Sequence, residues 1–288
     1  MDKDFIMNRL FEHMNDVGNK KIIYIALQGS QNYKLDTEKS DIDTKAFVLP
    51  SFRDIVLNKK PDSYTHEMEN LEHCDVKDIR LMVDCFRKQN INFLEVLFTE
   101  YYSVMHGYEN EINRLRAMRE EIAHYNNYAA MNCMAGMAME KFKALTHPYP
   151  TIKWKIDKWG YDGKQLHHIL RMENFIDAFF NGASFKTCLT TFHINEQGVL
   201  MAAKENLYSL LDAERMARKS MEHIDQMKED YMKKMPLLVN KEVKEEMDNI
   251  VYDIMVKSIK EEFEEKENPP LVDWDTTCNF DNEVKNEE

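Results

Sequence analysis

At 288 residues, 43% hydrophobic and 11% aromatic, the chain can bury a substantial core, which excludes a disordered protein and suits one large or two small domains. The net charge of −13 is uneven: residues 261–288 hold eleven acidic residues and two lysines, a net of −9, leaving −4 for residues 1–260, so the body lacks the broad basic surface that a nonspecific grip on duplex nucleic acid needs. No run approaches 18 apolar residues and the opening MDKDFIMNRLFEH is polar and amphipathic rather than a signal peptide, so no membrane partner and a cytoplasmic location are expected.

In chain order, helical spacing of apolar residues over Asp4–Asp16, stopped by Gly18, predicts a helix that packs on the sheet beginning at Ile22. Two apolar runs, Ile22–Leu27 and Thr44–Leu49, read as strands. The first runs straight into Gly29-Ser30 and the second is entered through Ser40-Asp41-Ile42-Asp43. Gly29 can fold tightly and let a phosphate approach the backbone, and Ser30 adds a hydroxyl beside amides able to form an anion-binding nest. Asp41 and Asp43 point to one face while Ile42 points away into the core. Two adjacent carboxylates repel unless protonated or bridged by a cation, and Mg²⁺ is the usual bridge where phosphates are near.

Past an irregular stretch from Pro50 to Asp62, a third strand is expected near Asn70–Val76, ended by Asp75, with Asp78 capping a helix over Ile79–Lys88. Glu95 falls in the apolar run Ile91–Phe98, where a carboxylate is either paired or aimed at the edge of a site. From Tyr108 the strand signal gives way to helical patterns at Glu109–His124 and Tyr128–Leu145, then a structured loop over residues 146–163, punctuated by prolines and glycines. Lys164–Phe180 is strongly amphipathic, and three- and four-residue steps place Lys164, one of His167 and His168, and Arg171 on a shared face. Residues 141–171 carry seven lysines and arginines, interleaved with Tyr149, Trp154, Trp159 and Tyr161; such cations fit a triphosphate or an RNA backbone, and such rings offer stacking surfaces for bases. Val199–Lys234 and Lys241–Glu265 read as long charged helices interrupted at Pro236, and Pro269-Pro270 opens a flexible acidic tail. The five cysteines form no CxxC pair, which argues against a zinc site or a disulfide framework.

A strand ending in Gly-Ser, about ten polar residues, then Asp-x-Asp opening a second strand resembles the polymerase-β-like nucleotidyltransferase superfamily. The likeness extends to Asp75-Val76-Lys77-Asp78-Ile79-Arg80, to Asn90-Ile91-Asn92-Phe93-Leu94-Glu95, and above all to the run Gly160-Tyr161-Asp162-Gly163-Lys164-Gln165-Leu166-His167-His168-Ile169-Leu170-Arg171. These motifs are similar to those of the bacterial and phage nucleotidyltransferases of an RNA-repair pathway, over about residues 20 to 240.

The resemblance implies an α+β protein: a catalytic domain over residues 1–107 with a small mixed sheet, a helical domain over 108–266 that contributes to the cleft, and the tail over 267–288. It implies transfer of a nucleoside monophosphate from a nucleoside triphosphate with two Mg²⁺ ions held by Asp41, Asp43 and a third carboxylate, Asp75, with Glu72 and Asp78 as alternatives. Gly29, Ser30, Tyr161, Lys164, His168 and Arg171 are the expected nucleotide-binding residues. An RNA 3′ end is the leading acceptor; a protein acceptor and a non-catalytic nucleotide-binding module are the alternatives. The low basicity of the body weighs against RNA relative to a protein or small-molecule acceptor, and leaves room for a short single-stranded end or a small nucleotide.

Overall fold

The computed structural model describes residues 2–18, 20–38, 40–190, 194–234 and 239–267. Its sheet has five strands: β1 (Lys21–Gln28), β2 (Asp43–Leu49), β3 (Ser63–Glu67), β4 (His73–Asp78) and β5 (Tyr102–Val104), in the order β3-β4-β2-β1-β5. β2 and β4 run parallel, and the other neighbouring pairs are antiparallel. Every strand among the described residues precedes the helical half, so the protein is α+β with a mixed sheet, as the sequence implied.

β1 reads as an almost unbroken apolar run because both of its faces are covered. On one face Ile23, Ala26 and Phe47 join a core that continues into the C-terminal helices as far as Ile254. On the other, Ile22, Ile25, Ala46 and Val48 pack with Val17, while Leu27 and Ile42 pack with Ile6 and Leu10 of the first helix, Lys3–Asp16. The sheet and the helical half thus share one core. At its centre lies the helix Gly163–Phe180, which packs against Asn127–Ala144, Ile194–Lys204 and Leu210–Lys234.

The structure departs from the sequence reading where local signals are short. The third strand is the second half of a hairpin: β3, all polar or aromatic and at the sheet edge, pairs with β4 through a turn in which Leu71 takes a φ of 69°. β4 runs past Asp75 to Asp78, whose side chain accepts the amide of Arg80 and so does open a helical segment, Ile79–Leu81 and then Met82–Arg87. The stretch expected as a loop contains the helix Lys153–Trp159, ended by Gly160 at a φ of 81°. Met118 divides Glu109–Ala117 from Arg119–Ala123. The long helix expected over 199–234 is two, Ile194–Lys204 and Leu210–Lys234, parted at Asn206, whose φ is 58° and whose side chain caps the Tyr161 carbonyl. Pro236 and the tail from residue 268 lie outside the described residues. No described helix is long and apolar enough to cross a membrane.

Candidate active site

Register brings the two N-terminal motifs together. Gln28, the last residue of β1, pairs with Asp43, the first of β2, so Gly29-Ser30 leaves the sheet beside the point where Asp41-Ile42-Asp43 enters it. Gly29 has a φ of 106°, which favours a residue without Cβ, and it starts a compact turn. Within that turn the Asn32 amide bonds the Gly29 carbonyl, the amides of Tyr33 and Leu35 both bond the Ser30 carbonyl, and the Asn32 side chain ties back to the Leu27 carbonyl at 3.0 Å.

A cleft of about 330 Å³ opens above this corner. Gly29, Ser30, Tyr33, Asp41, Asp43 and Glu95 line its sheet wall. Lys141, Lys164, His167, His168 and Arg171 line the opposite wall, with Lys204 from the neighbouring helix. Carboxylates on one side therefore face cations on the other, the arrangement that would hold a phosphate chain and its counter-ion between them.

Arg171 is the most telling side chain in the cleft. It is only 6% exposed, its guanidinium lies 3.8 Å from the centre of the Tyr33 ring, and its Nε and Nη1 have no hydrogen-bond partner. A buried guanidinium with open donors is costly unless an anion completes it. Lys204 donates to the Leu35 carbonyl at 3.1 Å, and burial, then Lys164 nearby, lowers its pKa. Bonding of His167 Nδ1 to the Leu200 carbonyl at 2.9 Å requires the proton on Nδ1, because a carbonyl only accepts. Burial brings His167 down to about 4, and desolvation followed by the charge of Arg171 brings His168 well below its ordinary value.

Glu95 is both things the sequence allowed, paired and at the site edge. Its carboxylate accepts the Gly29 amide at 3.3 Å and the Asn32 side chain at 3.5 Å, and it bonds the Tyr33 hydroxyl. Burial raises its pKa, opposed by Tyr33 and Arg171. Glu95 thus anchors the turn that presents Ser30 and, through Tyr33, the ring that carries Arg171.

The third carboxylate is placed differently from expectation. Asp75 lies on the strand next to Asp43, as anticipated, but it is paired across the sheet with Lys45, two residues further along β2, and does not line the cleft. Lys45 Nζ, on a side chain 1% exposed, meets Asp75 at 2.7 Å and sits 4.1 Å above the Phe93 ring, and Thr65 also donates to Asp75. Burial alone would raise Asp75, but Lys45 and Thr65 hold its carboxyl below the ordinary carboxylate range. The alternatives lie elsewhere too: Asp78 caps a helical turn and pairs with Arg80, and Glu72 bonds the Ile42 amide together with Arg9 and His13. Tyr161 is a further correction. Its ring is fully buried and its hydroxyl donates to the Tyr208 carbonyl, so it offers no face to a base. Missed from sequence were Tyr33 and Lys204; Lys141 was counted only as one cation of the basic stretch, and Lys204 sits in a helix whose start the periodicity did not show.

A larger hollow, about 420 Å³, lies at the opposite end of β1 and β2, beside Lys21 and Leu49. Its Lys20, Lys59 and Arg80 are paired with Asp62, Asp54 and Asp78, and among the described residues none of its lining side chains has a buried, unpartnered donor like those of Arg171.

A sheet that sets Gly-Ser beside Asp-x-Asp, opposite a helix bearing Lys and Arg, is the architecture of a polymerase-β-like nucleotidyltransferase. The RlaP family model, described as the RNA repair pathway DNA polymerase beta family, matches residues 3–173, a span that takes in the sheet wall and the cleft-lining residues as far as Arg171. The chain belongs to that family. A search among curated proteins found no match. Among solved structures, a nucleotidyltransferase-like protein from Exiguobacterium sibiricum is similar at 10% identity, over 87% of this chain and 79% of that one, with a TM-score of 0.32, too low to bear on fold or function.

The depressed histidines give a pH prediction. In the unfolded chain both take up a proton below about 6.5, while folded His167 stays neutral until about 4. The folded state binds fewer protons in that window, so stability falls as pH drops from 6.5 toward 4, by roughly 2 kcal/mol at pH 5 from His167 alone. Urea denaturation of the wild type and His167→Gln should show the difference in stability shifting against the wild type by that amount between pH 7 and pH 5; a pH-independent difference would contradict the assignment.

Proposed function

We propose that the cleft binds a Mg²⁺–nucleoside triphosphate and transfers its nucleoside monophosphate to an acceptor hydroxyl, with an RNA 3′ end as the acceptor. The observation that carries this reading is Arg171: a buried guanidinium with two nitrogens unpartnered, across the cleft from the Asp41/Asp43 pair. No cluster of three or more His, Cys, Asp or Glu forms a cage for a metal among the described residues. Mg²⁺ does not need one, since it is commonly held by one or two carboxylates with water and substrate phosphates supplying the remaining oxygens. Asp41 and Asp43 fit that donor set and would hold the metal, which, when bound, offsets phosphate charge and lowers the pKa of a bound hydroxyl.

The chain's own groups do the rest. Ser30 and the turn after Gly29 hold the terminal phosphates from the sheet side, and Arg171, Lys164 and Lys204 hold them from the helix side. In the transfer itself, the acceptor oxygen bonds to the α-phosphorus, the bond to the bridging oxygen breaks, and pyrophosphate leaves. The acceptor proton is taken at a carboxylate of the Asp41/Asp43 pair. His167 and His168, kept neutral, add no charge but supply hydrogen-bonding edges to the cleft wall.

Asp75 is assigned the task of neutralising Lys45. Removing one member of such a pair strands a buried charge, so Asp75→Ala should destabilise the fold by about 3 kcal/mol in urea titrations. Asp75→Asn should keep transfer within about tenfold of wild type, under 1.4 kcal/mol. Complete loss of transfer with an intact melt would instead make Asp75 the third catalytic carboxylate.

RNA as acceptor is favoured by the family's description and by the basic helix Lys153–Trp159 next to the site helix, where Trp154 is 57% exposed beside Lys155. The test is incubation with each α-labelled triphosphate and Mg²⁺, with and without a pool of tRNA. Label in RNA, lost when the 3′ terminal diol is first oxidised with periodate, supports the reading. Label in protein alone would replace it with protein nucleotidylylation.

A further inference from the structure

The reverse side of β2 carries a buried polar cluster that the transfer chemistry leaves unused. Along the strand side chains alternate, so Ile42 and Thr44 point away from the cleft. Both are 1% exposed, packed behind the two aspartates. Glu72, presented by the turn that joins β3 to β4, reaches this back face. Its Oε1 accepts the amide of Ile42, the residue between Asp41 and Asp43, at 3.1 Å. Its Oε2 takes Arg9 Nη2 at 2.6 Å, Arg9 Nε at 3.1 Å and His13 Nε2 at 3.1 Å. The far nitrogen of His13, Nδ1, lies 2.8 Å from the Thr44 hydroxyl. Because a carboxylate only accepts, Nε2 carries the proton and, in the neutral ring, Nδ1 accepts from Thr44. From the other direction the amide of His73, adjacent to Glu72, donates to Asp43 Oδ1 at 3.0 Å.

We propose that Glu72, with His13 and Arg9 behind it, is a positioning residue that fixes the Asp41-Ile42-Asp43 backbone so that the two carboxylates converge on one point. The inference rests on the reading of the cleft as a transfer site. The contacts are specific to that task. They grip residues 42 and 44, on both sides of Asp43, and the turn supplying Glu72 holds Leu71 in a left-handed conformation, 67% exposed, that favours glycine and is tolerated only where its surroundings impose it. A neutral residue at 72 would suffice for packing alone. A carboxylate is needed to accept four donors at once and to set the tautomer of His13.

The test pairs two variants with a control. Glu72→Gln places an amide donor against Arg9 and His13, and Thr44→Val removes only the hydroxyl that bonds His13. Ile250→Ala opens a cavity in the helical half, away from β2, and lowers stability without touching the cluster. At a temperature where all are folded, kcat for transfer should fall about 30-fold in Glu72→Gln, given that misplacements of about 1 Å cost up to about 100-fold, and by a smaller factor in Thr44→Val. KM for the metal-bound triphosphate should rise by no more than the loss of metal affinity, about tenfold, since the opposite wall is untouched. Ile250→Ala should keep the wild-type kcat. A second readout needs no turnover: electron paramagnetic resonance of free Mn²⁺, with a non-hydrolysable triphosphate, should show binding about tenfold weaker in Glu72→Gln and unchanged in Ile250→Ala. Unchanged kcat and Mn²⁺ binding in Glu72→Gln, or losses that the control matches, would overturn the proposal. A wild type that binds Mn²⁺ but transfers nothing, with Glu72→Gln weakening the metal, would reject the transfer reading and keep the brace.

Discussion

Changing Asp41 and Asp43 together to asparagine is expected to abolish nucleotidyl transfer, by about 10³-fold or more, while leaving the fold intact. Each substitution keeps size and hydrogen-bonding shape but removes the charge needed to hold a cation and take a proton. Loss of a single preorganised electrostatic contact costs about 2.7–4 kcal/mol, and here two go. Thermal stability should hold or rise slightly, because like charges side by side oppose one another in the absence of a bridging cation. Among the described residues this pair supplies the only carboxylates that line the cleft from the mouth of β2, opposite Gln28. A double variant with wild-type turnover would remove the catalytic assignment from the corner altogether.

Arg171→Ala is expected to weaken triphosphate binding by roughly 10- to 100-fold, about 1.4–2.8 kcal/mol, measured by titration calorimetry with a non-hydrolysable analogue. The size of the effect follows from burial: the guanidinium lies against Tyr33 and its free nitrogens have no water-like competitor, so its hydrogen bonds to phosphate are little screened. Lys164, on the same face about two turns earlier, is exposed, and Lys164→Ala should cost only about threefold. Arg171→Lys keeps the charge but loses the planar fork and the stacked geometry, and should fall between the two. Equal effects at positions 164 and 171 would show that charge alone, not the buried geometry, decides binding.

Much of this site could be read from the chain because its signals are local. Gly29-Ser30 and Asp41-Ile42-Asp43 lie at the ends of strands whose apolar runs are plain, and strand alternation places both aspartates on one face. The amphipathic period of Gly163–Phe180 likewise puts Lys164 and Arg171 on one side. The rest depends on register and on partners distant in sequence. Asp75 follows the expected strand, yet a parallel register pairs it with Lys45 rather than Asp43, a difference of two residues that no periodicity reports. Lys45 itself, a buried cation inside an apolar strand, was the available clue that a carboxylate would be needed nearby. Tyr161 sits in a motif rich in site residues, but its ring is claimed by the core and its hydroxyl by Tyr208, a contact across 47 residues. β3 and β5 are edge strands of five and three residues, too short to declare themselves.

The proposed transfer breaks one bond of the triphosphate, that between the α-phosphorus and the oxygen bridging to the β-phosphate, in this cleft. The direct measurement supplies parallel reactions with α-labelled and γ-labelled triphosphate to the wild type and to the Asp41→Asn/Asp43→Asn variant, in the presence of the tRNA pool and Mg²⁺. With the wild type, the α-label should appear in RNA and the γ-label in pyrophosphate in equal amount, and with the variant neither should appear. The γ-label in RNA, or as free phosphate with the α-label left in a diphosphate, would contradict the proposed transfer.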